Sequence, residues 1–287
     1  MHLAGIGPFL LVLVAFILSM LCLFAGSNPS FLQSVDVMTL NVSMIGETPV
    51  FDTSDGDGGF FDDLENDVQD TINDKADDVA DYITDEIGIH DFYSVHLMTY
   101  CEGFYEPNGL VQPDGSSPSE NVTGCSNRTT MFHFNPKKVL QSELKDGVTL
   151  DDLKWPDDIN DGIIVLEAAS KTMFVFYVAG IAITGLALIT TFAAIFMNGR
   201  ITILLGFSLS AFAFILLGIA SAIATVISVK TVEAVNKYGD DIGVSATRGQ
   251  KFLGMTWAAV AAMLIATLLS IVLCVVARRR NHAFGPK

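Results

Sequence analysis

Four long apolar segments constrain this 287-residue chain more than any other feature. They cover residues 8–25, 172–197, 201–229 and 252–277, and none contains an Asp, Glu, Lys, Arg or His side chain. A helix of ~20 apolar residues crosses the ~30 Å hydrocarbon core of a bilayer. The sequence therefore predicts a membrane protein with several spans, whose polar chemistry lies outside the bilayer.

The four segments divide the chain into a simple predicted order. From the N-terminus, this order is transmembrane helix 1 (1–26), an acidic loop domain (27–170), transmembrane helix 2 (171–198), transmembrane helix 3 (199–229), a short loop (230–251), transmembrane helix 4 (252–277) and a tail (278–287). A cleaved signal peptide is the alternative for the first segment. Residues 1–8 contain no Lys or Arg, so the basic region of a signal peptide is absent and an uncleaved anchor is favoured.

The long loop carries most of the charge of the chain. Residues 27–170 hold 29 acidic and six basic side chains, in a protein whose net charge is −16. Nucleic acid and anionic lipid headgroups repel such a loop, so we do not expect nucleic acid as a partner. Cations, basic proteins or water are the expected counterparts.

Basic residues and glycosylation sequons predict the orientation in the membrane. Arg200 lies in the short turn between helices 2 and 3, and three arginines follow helix 4: Arg278, Arg279 and Arg280. The positive-inside rule places these topology anchors, and with them both termini, in the cytoplasm. The long loop then lies outside the cell, where its N-glycosylation sequons at Asn41, Asn121 and Asn127 would be accessible to the modifying enzyme.

Cysteine placement points to the same side. Cys101 and Cys125 are the only cysteines of the long loop, and we predict a disulfide between them; two free thiols are the alternative. Closing this loop would stabilise the fold by roughly 3–4 kcal/mol in the chain-entropy model and requires an oxidising compartment. Cys274, beside the three arginines, is a candidate for palmitoylation.

Hydropathy patterns predict a small sheet and an acidic helix in the long loop. The apolar residues of 61–87 recur at three or four, as in an amphipathic helix, while its other faces are acidic. This helix either packs its apolar stripe on the rest of the loop or binds a partner laterally. An EF-hand starting at Asp55 fails, because Phe60 and Asn66 occupy its Gly and Glu positions. The remaining predictions are strands at 31–44, 92–101 and 125–134, linkers at 46–59 and 107–124, and a short helix at 136–145.

Small residues recur at four-residue spacing in the predicted helices. Gly218 and Ala222 lie in helix 3, while Ala258, Ala262 and Ala266 lie in helix 4. This spacing allows two helices to approach closely. The contacts would form either within one four-helix bundle or between protomers.

The stretch around the first loop cysteine resembles a known family. Residues 88–98 (GIHDFYSVHLM), the following Tyr100-Cys101-Glu102-Gly103 and the later residues 125–127 and 132–136 are similar to the hallmark sequence of the fungal Sur-seven/PalI family. The layout of one span, a long loop with two cysteines and three further spans is also similar. PalI-type members often have longer tails, which favours the cortical-patch branch for this chain.

The resemblance implies a fold and a set of functions. The expected fold is a mainly α, claudin-like four-transmembrane-helix bundle with a disulfide-stapled extracellular domain, made of a small β-sheet and the acidic helix. Family members are plasma-membrane proteins of eisosome-associated cortical patches, linked to endocytosis, cell-wall integrity and sporulation. The expected partners are membrane lipids, with sphingolipid- or sterol-rich patches as an option, other patch proteins and further copies of the chain.

No catalytic or nucleotide-binding motif occurs in the sequence, so we expect no enzyme activity, no cofactor and no metal. The leading hypothesis is a non-enzymatic organiser of cortical membrane patches. The alternative is a membrane auxiliary of a signalling pathway, as in PalI-like ambient-pH sensing. A channel is a third class, and the uncharged spans argue against it.

Overall fold

The computed structural model describes residues 5–44, 89–106, 119–135, 138–139, 141, 158–196, 200–239 and 243–283. These residues form four long helices and five strands. The helices are α1 (Ile6–Phe24), α2 (Asp158–Phe196), α3 (Arg200–Tyr238) and α4 (Gln250–Ala283), and the strands are β1 (Met38–Asn41), β2 (Phe92–Val95), β3 (Tyr100–Glu106), β4 (Ser119–Cys125) and β5 (Ser245–Arg248). The predicted helix at 61–87 and the linker at 46–59 lie outside the described residues.

All four helices are long and apolar enough to cross a membrane, as the sequence predicts. Helix α1 packs against α2 and α4, and α3 packs against the same two helices, so the four close into a bundle. The apolar part of α3 and its continuation comprise 38 residues, about 57 Å at 1.5 Å per residue. Because this exceeds the ~30 Å hydrocarbon core, one end of α3 projects from the bilayer.

The bundle interior uses small residues where helices meet. Ala15, Ala187, Ala213, Ala259 and Ala266 are all buried in one cluster. Large apolar side chains such as Ile189 and Val226 instead point outward and are more than half exposed in the isolated protein. Such an apolar exterior is expected where lipid, rather than water, surrounds the helices.

The five strands form one antiparallel sheet in the order β4-β3-β2-β1-β5. Strands β1 to β4 come from the long loop, while β5 comes from the short loop between α3 and α4. The sequence does not predict β5, because its four residues carry no strong strand pattern. Both loops thus meet at one end of the bundle, which we call the sheet end.

The projecting end of α3 supports the sheet. Val232 and Val235 of α3 pack against the sheet residues Leu40, Tyr93 and Ala246. Asn236 also binds the edge strand β5 reciprocally: Ala246 N donates to its Oδ1 (2.6 Å), and its Nδ2 donates to Ala246 O (3.1 Å). These bonds occupy the N–H and C=O groups of Ala246, which would otherwise be unpaired at the sheet edge.

Two of the strand predictions are wrong in detail. Residues 92–101 form a hairpin rather than one strand, with β2 and β3 joined by the turn at 96–99. This turn lacks the Gly or Asn that signals a two-residue hairpin, so the sequence gives no local sign of it. The pairing register aligns Ser94 with Cys101 and Val95 with Tyr100.

The strand predicted at 125–134 is displaced. Strand β4 ends, rather than begins, at Cys125, and 119–124 belong to the strand rather than to the predicted linker. The chain beyond Cys125 lies past the start of β3, so a strand there would have no partner. Residues 126–135 are irregular, and His133 lies 3.7 Å from Glu167 of α2. Of the helix predicted at 136–145, the described residues 138, 139 and 141 are helical, with Asn135 Oδ1 accepting from Lys138 N.

Candidate functional site

The family-like sequence forms the turn that closes the sheet end of the bundle. We call residues 96–99 the β2–β3 turn. Leu97 is 2% exposed and packs in one cluster with Tyr177 of α2, Ile227 of α3 and Phe252 of α4. The turn therefore sits in the mouth of the bundle and joins the sheet to the helices.

His96 fixes the start of this turn. Its ring is 2% exposed, and Nδ1 lies 3.0 Å from the carbonyl oxygen of Val35. A carbonyl only accepts, so Nδ1 carries the proton of the neutral ring. Burial lowers the pKa of His96 to about 4, and the imidazole is neutral near pH 7.

Gly26, two residues past the end of α1, lies against the His96 ring. Its φ is +69°, a conformation that favours glycine. A Cβ at this position would overlap ring atom Cδ2 of His96. A larger residue at position 26 would therefore have to displace His96 as well as strain the backbone.

Polar contacts fasten the other end of the turn. Thr99 Oγ1 donates to Ser126 O (2.7 Å), and Tyr100 N donates to Ser126 Oγ (3.1 Å). Thr129 N donates to Met98 O (2.9 Å). The residues after β4 thus hold the β2–β3 turn in place through backbone and hydroxyl groups.

The predicted disulfide between Cys101 and Cys125 is present. The bridge joins β3 to β4 at the residue that follows Tyr100, whose N–H donates to Ser126. Cys101 is completely buried, with its sulfur 3.3 Å from Gly26 O, and Gln33 Nε2 donates to the sulfur of Cys125 (3.6 Å). Since a bridged sulfur has no proton, the first of these is a contact rather than a hydrogen bond. The bridge therefore also contacts the segment that follows α1.

The other family-motif residues have structural surroundings of their own. The ring of Tyr100 lies between 5.7 and 6.3 Å from those of Phe134, Phe132 and Tyr93, by centroid. At Gly103 a Cβ would overlap the carbonyl oxygen of Asn121, beside the β-bulge between β3 and β4. Glu102 is half-buried on the same strand. The motif thus specifies close packing and strand pairing.

The pKa values of three carboxyl groups lie above their usual range in the sheet domain, by which we mean the five strands and the described segments that join them. Burial raises the pKa of Asp36, before β1, to about 6, although a hydrogen bond from Thr39 partly opposes this shift. Burial also raises the pKa of Asp91, whose Oδ2 accepts from Tyr105 N (2.8 Å), and that of Glu120 on β4. The sequence shows these residues only as members of an acidic loop.

The predicted sequon asparagines differ in their surroundings. Asn41 is half-buried on strand β1, and Ser43 donates to its Oδ1 from both N (3.0 Å) and Oγ (2.8 Å). Asn121 on β4 is exposed, with Nδ2 donating to Glu106 (2.6 Å). Asn127 is exposed in the irregular chain after the disulfide.

The small residues proposed for helix packing separate into two groups. Ala262 and Ala266 are buried inside the bundle, next to Val12 and Met263. The other three point outward. Ala222 and Ala258 are exposed, and a Cβ added to Gly218 would meet nothing within 4 Å.

The cytoplasmic-anchor candidates lie at the end of the bundle opposite the sheet. Arg200 is the first residue of α3, and α4 extends through positions 278–280 to Ala283. Cys274 is half-buried near the same end of α4. The first residue of α3 and the last turns of α4 therefore lie at the same end of the bundle.

A polar cluster inside the bundle is absent from the sequence predictions. Ser221 of α3 and Thr256 of α4 share a hydrogen bond of 2.7 Å. The hydroxyl of Tyr177 lies beside Thr256, Ser19 and Cys22, without hydrogen-bond geometry to any of them. The signal available in the sequence is a tyrosine within an otherwise apolar span. Among the described residues, no three His, Cys, Asp or Glu side chains form a group suited to a metal.

Comparison with known proteins agrees with this layout. A sequence model of the SUR7/PalI family matches residues 4–269. The chain is 23% identical over 283 residues to a fission yeast (Schizosaccharomyces pombe) protein described as "SUR7 family protein pun1", covering 92% of this chain and 91% of the relative. No solved structure matches the chain. The match extends over α1, the sheet and most of α4, and the protein therefore belongs to the SUR7/PalI family.

Proposed function

We propose that this protein is a non-enzymatic organiser of eisosome-associated cortical patches in the plasma membrane, with roles in endocytosis, cell-wall integrity and sporulation. Family membership supports a membrane protein of this kind. The observation that carries the proposal is the β2–β3 turn in the mouth of the bundle. Because Leu97 fills space that an aqueous pathway would need, this geometry favours a scaffold over a channel.

The chemistry of the two ends of the bundle supports one orientation in the membrane. A disulfide at the sheet end is suited to an oxidising compartment, whereas the arginines at the other end favour the cytoplasm. The sheet would thus face the cell exterior, and both termini the cytoplasm. Asn121 and Asn127, both exposed, would be the more accessible glycosylation sites.

Lateral contacts would form through the outward faces of α3 and α4. Gly218, Ala222 and Ala258 leave open space on these faces, where a second copy, another patch protein or lipid could approach the backbone. A sterol- or sphingolipid-rich patch would supply ordered lipid around these faces. Nucleic acid is not among the proposed partners, because the long loop (27–170), which we call the outer domain, is acidic.

Photobleaching of a fluorescently tagged copy in living cells tests this proposal. We expect stable surface patches for the parent, and faster recovery and dispersal for Ala222→Leu, which fills the open face of α3. The matched control is Val226→Leu, an outward substitution where a large side chain is already present. A diffuse or internal distribution of the parent would refute the patch assignment, and equal behaviour of both variants would refute the contact face.

The alternative function is that of a membrane auxiliary in ambient-pH signalling. The raised pKa of Asp36, to about 6, favours it, since a half-buried carboxyl of the outer domain then changes charge in mildly acidic medium. Hydrogen exchange of the outer domain in acidic and neutral buffer would test it, with Asp36→Asn as the comparison. Identical exchange in the parent at both pH values would refute the sensing role of this domain.

A further inference from the structure

One buried nitrogen of the β2–β3 turn has no hydrogen-bond partner among the residues that the structure describes. The Val35 carbonyl holds the proton of the His96 ring on Nδ1, so Nε2 presents a bare lone pair. Nε2 is buried and accepts no hydrogen bond from any described residue. Buried acceptors nearly always have a partner, from the protein or from a bound molecule. The required partner must donate a proton, which excludes carbonyl groups and ionised carboxylates.

A cavity lies beside this ring. His96 lines it together with Val95 of β2, Leu97 of the same turn, Ser170 and Met173 of α2 and Ile227 of α3. It offers about 20 Å³ for the centre of a water molecule, enough for one water or for a single hydroxyl group of a larger molecule. Ser170 is 8% exposed and supplies a hydroxyl in this otherwise apolar lining. Ser170 lies about two helical turns after Ile164, where the apolar part of α2 begins, and therefore near the membrane surface.

We propose that this cavity binds a hydroxyl group. The hydroxyl donates a hydrogen bond to Nε2 of His96 and has Ser170 Oγ as a second hydrogen-bond partner. The O–H belongs either to a water molecule or to a lipid whose hydroxyl enters between the sheet ends of α2 and α3. The apolar lining is unsuited to an ammonium group or a phosphate, which need charged or multiple polar partners. The bound hydroxyl connects the β2–β3 turn to α2, and this inference is independent of the patch-organising role.

Nuclear magnetic resonance of the full chain with ¹⁵N-labelled histidine tests the site. The protein is placed in nanodiscs of phosphatidylcholine, a lipid without a hydroxyl group, and in the same lipid with added cholesterol. We expect a protonated Nδ1 and an unprotonated Nε2 whose resonance is shifted by an accepted hydrogen bond. A contact from the ring to water protons in both membranes assigns the site to water. A hydrogen-bonded shift found only with cholesterol, with contacts to the sterol, assigns it to a lipid hydroxyl.

A protonated Nε2 would overturn the proposal, as would the resonance of a free lone pair in both membranes. Ser170→Ala tests the second partner without touching the His96–Val35 hydrogen bond. We expect its Nε2 resonance to move towards that of a free lone pair. Ser228→Ala, which removes a buried hydroxyl of α3 outside the cavity lining, is the matched control and should leave the resonance unchanged. An unchanged Nε2 resonance in Ser170→Ala would remove Ser170 from the site.

Discussion

At the scale of single residues, the β2–β3 turn and strand β3 each depend on a glycine at which an added Cβ would overlap a neighbouring residue. His96 is held on one side by the Val35 carbonyl and on another by Gly26. Gly103 is similarly confined by the backbone of β4. No local sequence pattern marks these two glycines as required, because the atoms that would overlap a larger side chain belong to residues distant along the chain.

We predict that Gly26→Ala destabilises the protein by about 2 kcal/mol or more, since it combines a left-handed backbone with a steric overlap. Thermal unfolding of the purified protein in detergent measures this. Gly254→Ala is the control, because an added Cβ there meets nothing within 4 Å and the position is helical. Alanine is the better helix former, so the control should unfold at the same or a slightly higher temperature. Equal loss in both variants would contradict the proposed contact with His96.

A second residue-scale prediction concerns Asp36. Its pKa is about 6 in the folded protein, against an ordinary value of 3.8. Between these values the folded state binds more protons than the unfolded state, so the stabilisation from Asp36 is present below pH 3.8 and is lost as the pH rises through 6. Asp36→Asn should therefore gain stability relative to the parent as the pH increases from about 4 to about 7.

The pH dependence of stability that comes from His96 is opposite to that from Asp36. Its pKa is lowered from 6.5 to about 4, so its stabilisation is present above pH 6.5 and is lost as the pH falls through 4. The Asp36 prediction is tested by the unfolding temperatures of the parent and of Asp36→Asn between about pH 4 and pH 7. Because both proteins contain His96, the difference between them reports the contribution of the Asp36 carboxyl alone. Glu106→Gln, at an exposed carboxyl, is the control. A constant difference between parent and Asp36→Asn at every pH would contradict the shifted pKa.

At the scale of elements, the sheet domain is stabilised by links between segments that are distant in sequence. The disulfide joins β3 to β4, and Asn236 of α3 binds β5. Removing the bridge by Cys101→Ser with Cys125→Ser should cost roughly 3–4 kcal/mol, because the unfolded chain regains the freedom of the closed loop. Chemical denaturation measures the loss. The control is Cys274→Ser, which removes a free thiol at the end of the bundle away from the sheet and should change stability little. A similar loss of stability in this control would argue against the disulfide as the cause.

Helices and strands differed in how well the sequence predicts them. The spans are evident because an uninterrupted apolar run of ~20 residues matches the thickness of the bilayer core and is longer than most buried helices of soluble domains. The disulfide follows from there being only two loop cysteines. The β2–β3 turn and β5 are not evident, because the turn has no Gly or Asn and β5 gains its order from β1 and Asn236. Likewise, the spacing of the small residues does not distinguish the buried Ala262 from the outward Ala222.

At the scale of the whole molecule, the sheet and the bundle act as one unit at the sheet end. The β2–β3 turn packs among α2, α3 and α4, while α3 extends beyond the bilayer to support the sheet. The bundle presents apolar side chains and open small-residue faces to the lipid. This combination is suited to a protein that acts through lateral contacts, with the sheet packed against one end of the bundle.

The accessibility of position 97 to a membrane-impermeant thiol reagent tests the closed mouth most directly. Leu97→Cys should stay unmodified in intact membranes, whereas Phe104→Cys, on the exposed part of β3, should react. Adding Gly26→Ala to Leu97→Cys should displace His96 and make position 97 reactive. Equal modification of Leu97→Cys and Phe104→Cys in the otherwise unchanged protein would show that the turn does not close the bundle, and would contradict this account.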